Sequence, residues 1–186
     1  MHTGSRDRTT SPQKRSRHAI ACDNSQRGIA TIWVIGFGPA LLALLVLVTE
    51  IASLWLARIE LETAAEAGAL ACVRAWGGQP GDTLIIRNAA ATVGGSFAQA
   101  NTVLGNTFTL APNSVTFGSY VSGTITAGAP GTIPNGTRAC VVQATAVVPG
   151  LWSGFGGSRS IQARASARYD TNLNAPRLVR VSTVVP

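Results

Sequence analysis

Charge is scarce in this chain: 12% of its 186 residues are charged, about half of the roughly 25% in an ordinary soluble domain. Histidine is scarcer still. His2 and His18 are the only two, so nothing after position 18 can take part in a Ser-His-Asp triad or supply an imidazole to zinc. Beyond Glu66 the acidic residues are Asp82 and Asp170. Asp82 stands where a helix N-cap is expected, and the remaining carboxylate cannot form the pair that glycoside hydrolysis requires. Gly154-Phe155-Gly156-Gly157 is glycine-rich but lacks the lysine and the strand-to-helix setting of a phosphate loop. The residues therefore argue against an enzyme, and against any catalytic, metal or cofactor-binding site or small-molecule substrate. Aromatics make up only 6% and are scattered, so no base-stacking platform accompanies the net charge of +7. Nucleic acid is not an expected partner.

What the chain has is apolar sequence. Mean hydropathy is +0.24, and residues 29–49 (IATIWVIGFGPALLALLVLVT) form 21 positions without a charge. About 20 apolar residues in a helix cross the ~30 Å hydrocarbon core of a bilayer. The run is apolar on every side, unlike a core helix with one buried face. Six of the fifteen basic residues, Arg6, Arg8, Lys14, Arg15, Arg17 and Arg27, precede it. The positive-inside rule then places residues 1–28 in the cytoplasm as a disordered basic tail, with the rest of the chain outside. Such a tail is also attracted to anionic lipid. The order basic, apolar, small also fits a cleaved secretory signal, but this apolar run exceeds the 7–15 residues of a signal core. Pro39 should bend the span. Trp33 and Trp55 stand near its two ends, where indole favours the interface. Gly36 and Ala40, and further on Ala64 and Gly68, are small residues four apart, the spacing at which helices approach closely.

Helical sequence continues past the span. Residues 50–76 are rich in Ala, Leu and Glu and hold no proline, so a single rod of about 70 Å is expected at 1.5 Å per residue. Gly77-Gly78-Gln79-Pro80-Gly81 ends it. A second helix is expected from Thr83 to about Val103, capped by Asp82. After Gly105 the composition turns to Thr, Val, Ser, Gly and Asn, with strands expected at 106–110, 115–120, 138–148 and 160–169. Residues 123–137 and 150–157 read as loops, and residues 171–186 as an irregular tail. The fold class is α+β: a long N-terminal helix, first membrane-spanning and then extracytoplasmic, followed by a second helix and a small antiparallel sheet, with residues 81–170 as the extracytoplasmic domain.

Cys72 and Cys140 fall on the outer side of this topology, where disulfides persist. They are either bridged, closing a loop worth roughly 4 kcal/mol in the chain-entropy model, or two buried free thiols. Cys22 falls on the reducing side.

Arg27-Gly28, the apolar run with Pro39, Glu50, and then Trp55-Leu56-Ala57-Arg58 and Leu61-Glu62-Thr63-Ala64-Ala65-Glu66-Ala67-Gly68-Ala69-Leu70-Ala71 together resemble the N-terminal part of TadE/TadG-like proteins. These belong to the Tad machinery of Flp-type pili. The close match runs from Arg27 to Ala71, about a quarter of the chain. The resemblance implies a membrane-anchored protein of a pilus-assembly or related secretion system, held in the inner (cytoplasmic) membrane among other pilus-assembly membrane proteins. It also implies a prepilin-type cleavage point between Gly28 and Ile29. The TadE-like pseudopilins carry glutamate five residues after the cleaved glycine, where this chain has Trp33. That departure favours the TadG-like branch, an assembly component rather than a filament subunit. The alternative from a different class is a secreted or anchored extracytoplasmic binding module unrelated to pili, suggested by the uncharged Thr/Ser/Gly-rich surface.

Overall fold

The computed structural model describes residues 24–111, 113–150, 157–181 and 183–185. The basic segment before Asn24, with Cys22 and both histidines, lies outside the described residues, as do 151–156 and the glycine-rich Gly154-Phe155-Gly156 within them. The chain divides into two compact units, residues 1–44 and 45–186.

One helix, α1 (Asn24–Gly77, 54 residues), supplies all the described structure of the first unit and enters the second. It contains Pro39. Its hydroxyls turn back onto the helix: Thr49 Oγ1 donates to the Leu45 and Val46 carbonyls at 2.5 and 3.1 Å, and Thr63 Oγ1 to Ile59 at 3.0 Å. A hydroxyl satisfied in this way adds little polar cost to an apolar helix.

In the second unit α1 becomes one-sided. Ala57, Leu61, Ala64, Ala65, Ala69, Cys72, Val73 and Trp76 are buried, at the three- and four-residue intervals of a single helical face. Helix α2 (Leu84–Gln99) buries Arg87, Ala90, Gly94 and Ala98 at the same intervals. The two helices meet at glycines. A Cβ on Gly94 would lie 2.8 Å from the Cys72 Cβ and 2.9 Å from the Gly68 carbonyl oxygen, and one on Gly68 would lie 3.0 Å from Ala98. Only residues without a side chain allow this approach.

Six strands form one sheet in the order β5-β4-β3-β1-β2-β6, where β1 is Val115–Val121, β2 Thr124–Ala127, β3 Arg138–Pro149, β4 Ser158–Asp170, β5 Ala175–Leu178 and β6 Thr183–Val185. Strands β3 and β4 pair antiparallel from Ala139↔Arg168 to Pro149↔Ser158. Period-2 alternation sorts their faces. Cys140, Val142, Ala144, Ala146 and Val148 of β3, with Ala163, Ala165, Ala167 and Tyr169 of β4, join the helices in the main core. On the other face Ile125, Ala139 and Val141 form a small second cluster.

The architecture is the expected α+β class: long helix, second helix, antiparallel sheet. Five local expectations are corrected. Thr83, not Asp82, caps α2, its hydroxyl accepting from the Ile86 amide at 3.3 Å, and the helix ends at Gln99 rather than near Val103. Residues 106–110 form no strand. Leu104 and Gly105 take positive φ (49° and 75°) in a tight turn, closed by the Val103↔Asn106 bridge, and Phe108 then inserts into the core with Leu110 packed against it. Within the expected loop 123–137, β2 follows a two-residue turn in which Ser122 and Gly123 both have positive φ (48° and 89°), the hairpin geometry that matches strand twist. Residues 171–186 are not an irregular tail. Asp170 Oδ1 accepts from the amides of Asn172 and Leu173, a side-chain-stabilised turn, and β5 follows. The chain then crosses the sheet, Val181 and Val184 packing on the second cluster, and β6 pairs parallel with β2.

Candidate functional site

Two regions stand out on physical grounds: an apolar stretch of α1 that no described residue covers, and a buried polar corner where α1 ends.

In the first unit, Ile32 is 72% exposed, Val34 70%, Leu42 66% and Leu45, just beyond, 63%. An uncovered leucine or valine forfeits roughly 1.5–3 kcal/mol of burial in water, so a run of them requires an apolar surrounding. Among the described residues this is the one helix long and apolar enough to cross a membrane, which points to a single-pass membrane protein. Gly36 has nothing within 4 Å of where a Cβ would be, and Ala40 is exposed. Trp33 stacks on Phe37 with centroids 4.8 Å apart. Gly28 and Ile29 fall in the helical part of α1 that begins at Asn24. Ala64 and Gly68, in contrast, are spent inside the molecule: Ala64 is fully buried, and Gly68 faces α2 and Val142 of β3.

The corner is built on Asp82, between α1 and α2. Arg87, one turn into α2, grips it with both arms, Nε donating to Oδ1 at 2.6 Å and Nη2 to Oδ2 at 2.7 Å. Trp76 Nε1 donates to Oδ1 at 3.1 Å, and the amides of Gly131 and Ile133 donate to Oδ2 at 3.0 and 3.3 Å. Arg87 also donates to the carbonyls of Gly128 and Ala129 at 2.5 and 2.9 Å. Its guanidinium lies 5.1 Å from the Trp76 ring and 5.4 Å from Phe117, within cation–π range. From β3, buried Arg138 donates Nη1 to the carbonyls of Trp76 and Gln79 at 2.8 and 2.9 Å, joining the Gln79 amide on the Trp76 oxygen at the end of α1. Its Nε is the one buried side-chain polar atom without a partner among the described residues.

The bond from Arg87 holds the Asp82 carboxyl at a pKa of about 2, overcoming the upward push of burial. With two Arg87 donors, an indole and two amides on its two oxygens, Asp82 has no lone pair free for proton abstraction. The corner fixes the path of the chain at the end of α1 and offers no reactive group. Among the described residues no group of three or more His, Cys, Asp or Glu side chains could hold a metal. The sequence reading missed this network. Its one available signal was an acid and an arginine five residues apart, Asp82 and Arg87, in a segment otherwise poor in charge.

The structure brings Cys72 and Cys140 together. Their sulfurs, 68 residues apart in sequence, lie 2.7 Å from each other, and both residues are fully buried.

An exposed apolar helix that continues into a small α+β unit fits the class of single-pass membrane proteins. Residues 28–75 match the family model described as "Putative Flp pilus-assembly TadE/G-like". The resemblance read from Arg27 to Ala71 is thereby supported, over a segment that is most of α1 and about a quarter of the chain. No curated protein and no solved structure matches the chain.

Proposed function

We propose that this chain is a non-enzymatic, membrane-anchored component of a Tad/Flp-type pilus assembly or a related secretion system, TadG-like rather than TadE-like. The observation that carries the reading is the coincidence of the family match, residues 28–75, with the helix whose first half is apolar and uncovered. Basic residues precede that helix and the folded unit follows it, so the tail lies in the cytoplasm and the unit outside the inner membrane. Residues 29–49 form the span, and residues 50–76 carry the helix into the outer unit, where its buried face becomes part of the core. In the membrane, the exposed Gly36 and Ala40 leave a shallow seam for the helix of another assembly protein. Trp33 supports the TadG-like branch, because an indole cannot supply the carboxylate that would pair with a neighbouring subunit's new amino terminus after cleavage.

Sequencing the amino terminus of the protein recovered from membranes of its host tests the anchor reading. A terminus upstream of Gly28 is expected. A terminus at Ile29 would mean prepilin-type processing and place the chain among the filament subunits.

A further inference from the structure

We infer that Cys72 and Cys140 form an intramolecular disulfide that staples the last turns of α1 to the central part of the sheet. Three observations on the folded unit converge. The structure holds the two thiols side by side, Sγ to Sγ 2.7 Å, so the fold itself pairs these cysteines across 68 residues of sequence. Both residues are fully buried among apolar neighbours in the main core. No His, Asp or Glu joins them in a metal-binding group among the described residues. The inference rests on the topology proposed above, which puts this unit on the side where disulfides persist.

The fold also shields the pair. Helix α2 packs directly on Cys72, Gly94 lying so close that a Cβ there would be 2.8 Å from the Cys72 Cβ. Burial pushes the Cys140 thiol well above its usual pKa, so in the finished fold it is protonated and a poor nucleophile. The bond therefore forms while the pair is open to solvent, during folding or in a local opening of the unit. The oxidant is a disulfide-carrying thiol oxidoreductase. One chain thiol loses its proton and attacks the donor disulfide, giving a mixed disulfide and expelling one donor thiolate. The second chain thiolate attacks the chain sulfur of that mixed disulfide, closing Cys72–Cys140 and expelling the other donor thiolate. The chain loses two electrons and two protons, and the donor leaves as a dithiol.

Full-length protein from its host, acid-quenched, unfolded in guanidinium chloride at neutral pH and treated with N-ethylmaleimide without reductant, is digested with trypsin and weighed. Cys72 falls in the tryptic peptide 59–74 and Cys140 in 139–159. The expected result is one species joining the two peptides, two hydrogen masses below their sum. The maleimide reaches Cys72 and Cys140 only after reduction. Cys22, in a separate peptide, serves as the control that never joins them. Maleimide on both peptides without reductant overturns the inference. A parallel experiment on cells with the outer face of the inner membrane exposed tests the topology, using an impermeant maleimide on Thr145→Cys, an exposed position of β3. Free thiols with Thr145→Cys reached from outside overturn the bridge alone; free thiols with Thr145→Cys shielded until lysis overturn the topology as well.

Discussion

Replacing Asp82 by alanine removes the acceptor on which five donors converge. Arg87 is left buried with an uncompensated charge, its side chain 6% exposed, and the Trp76 indole and the amides of Gly131 and Ile133 lose their partner. Breaking a buried pair from one side costs about 3–5 kcal/mol, against a total stability of about 5–15 kcal/mol for a typical domain. The electrostatic share can be bounded separately. The folded pKa of about 2 stands below the ordinary 3.8, so the ionised form stabilises the fold by about 2 kcal/mol. Because the folded value is depressed, that stabilisation is complete above the unfolded pKa and is lost as pH falls from about 4 towards 2. The assay is urea unfolding of the full-length protein in mild detergent, followed by near-ultraviolet circular dichroism at pH 7, 4 and 2.5. Asp82→Ala is expected to lower stability at pH 7 by about 3–5 kcal/mol. Its further loss between pH 4 and 2.5 should be smaller than that of the wild type. A loss below about 1 kcal/mol at pH 7, or the same acid-induced loss in both proteins, would refute the reasoning.

Other perturbations separate close packing, membrane insertion and surface charge. Gly94→Ala drives a methyl into Cys72 and the Gly68 carbonyl and should cost about 1–3 kcal/mol, whereas Gly95→Ala meets only Leu110 at 3.9 Å and should be neutral or stabilise by up to about 1 kcal/mol. Equal thermal melting temperatures for the two variants would contradict the close crossing. Leu41→Arg combined with Leu44→Arg puts two charges in the uncovered run, each costing about 2.5–3.5 kcal/mol at the bilayer centre; the protein should leave the alkali-resistant membrane fraction, and full retention would count against the span. Arg58→Ala removes the exposed pair with Glu62 at 3.0 Å and should shift urea stability by less than about 0.5 kcal/mol.

Which parts of this architecture can be read from sequence follows from which forces act locally. The long helix is legible because its signals repeat: an uninterrupted apolar run, then Ala, Leu and Glu at helical spacing, then a glycine cluster where α1 ends at Gly77. Strands β3 and β4 are legible because their alternation is long, and the structure extends them only slightly, to Arg138–Pro149 and Ser158–Asp170. Short strands are different. Strand β2 has four residues and owes its existence to the positive φ of Ser122 and Gly123, a turn signal easily passed over in a Gly- and Thr-rich stretch. Strand β5 is four residues long and pairs with β4 across the Asp170 turn, from Asp170↔Ala175 to Ala167↔Leu178, whereas β6 depends on a neighbour far away in sequence, Ile125↔Val184; the composition of neither carries a period.

Asp82 shows the same limit at a single side chain. Its position between helices suggests a cap, but Arg87 outcompetes that role and the cap passes to Thr83. The cysteines were legible as a pair by topology, yet only the packing of α1 on β3 places their sulfurs side by side. At the membrane end the departure at Trp33 was readable at once, because it depends on one position counted from Gly28.

A role in pilus assembly from the membrane, as proposed above, is open to a direct test. The direct measurement is an in-frame deletion of its gene in the host, complemented in trans, with surface filaments counted by electron microscopy. Loss of filaments and of adherence on deletion, restored by the full chain but not by a version lacking residues 29–49, is the predicted result. Normal numbers of filaments in the deletion strain would contradict it.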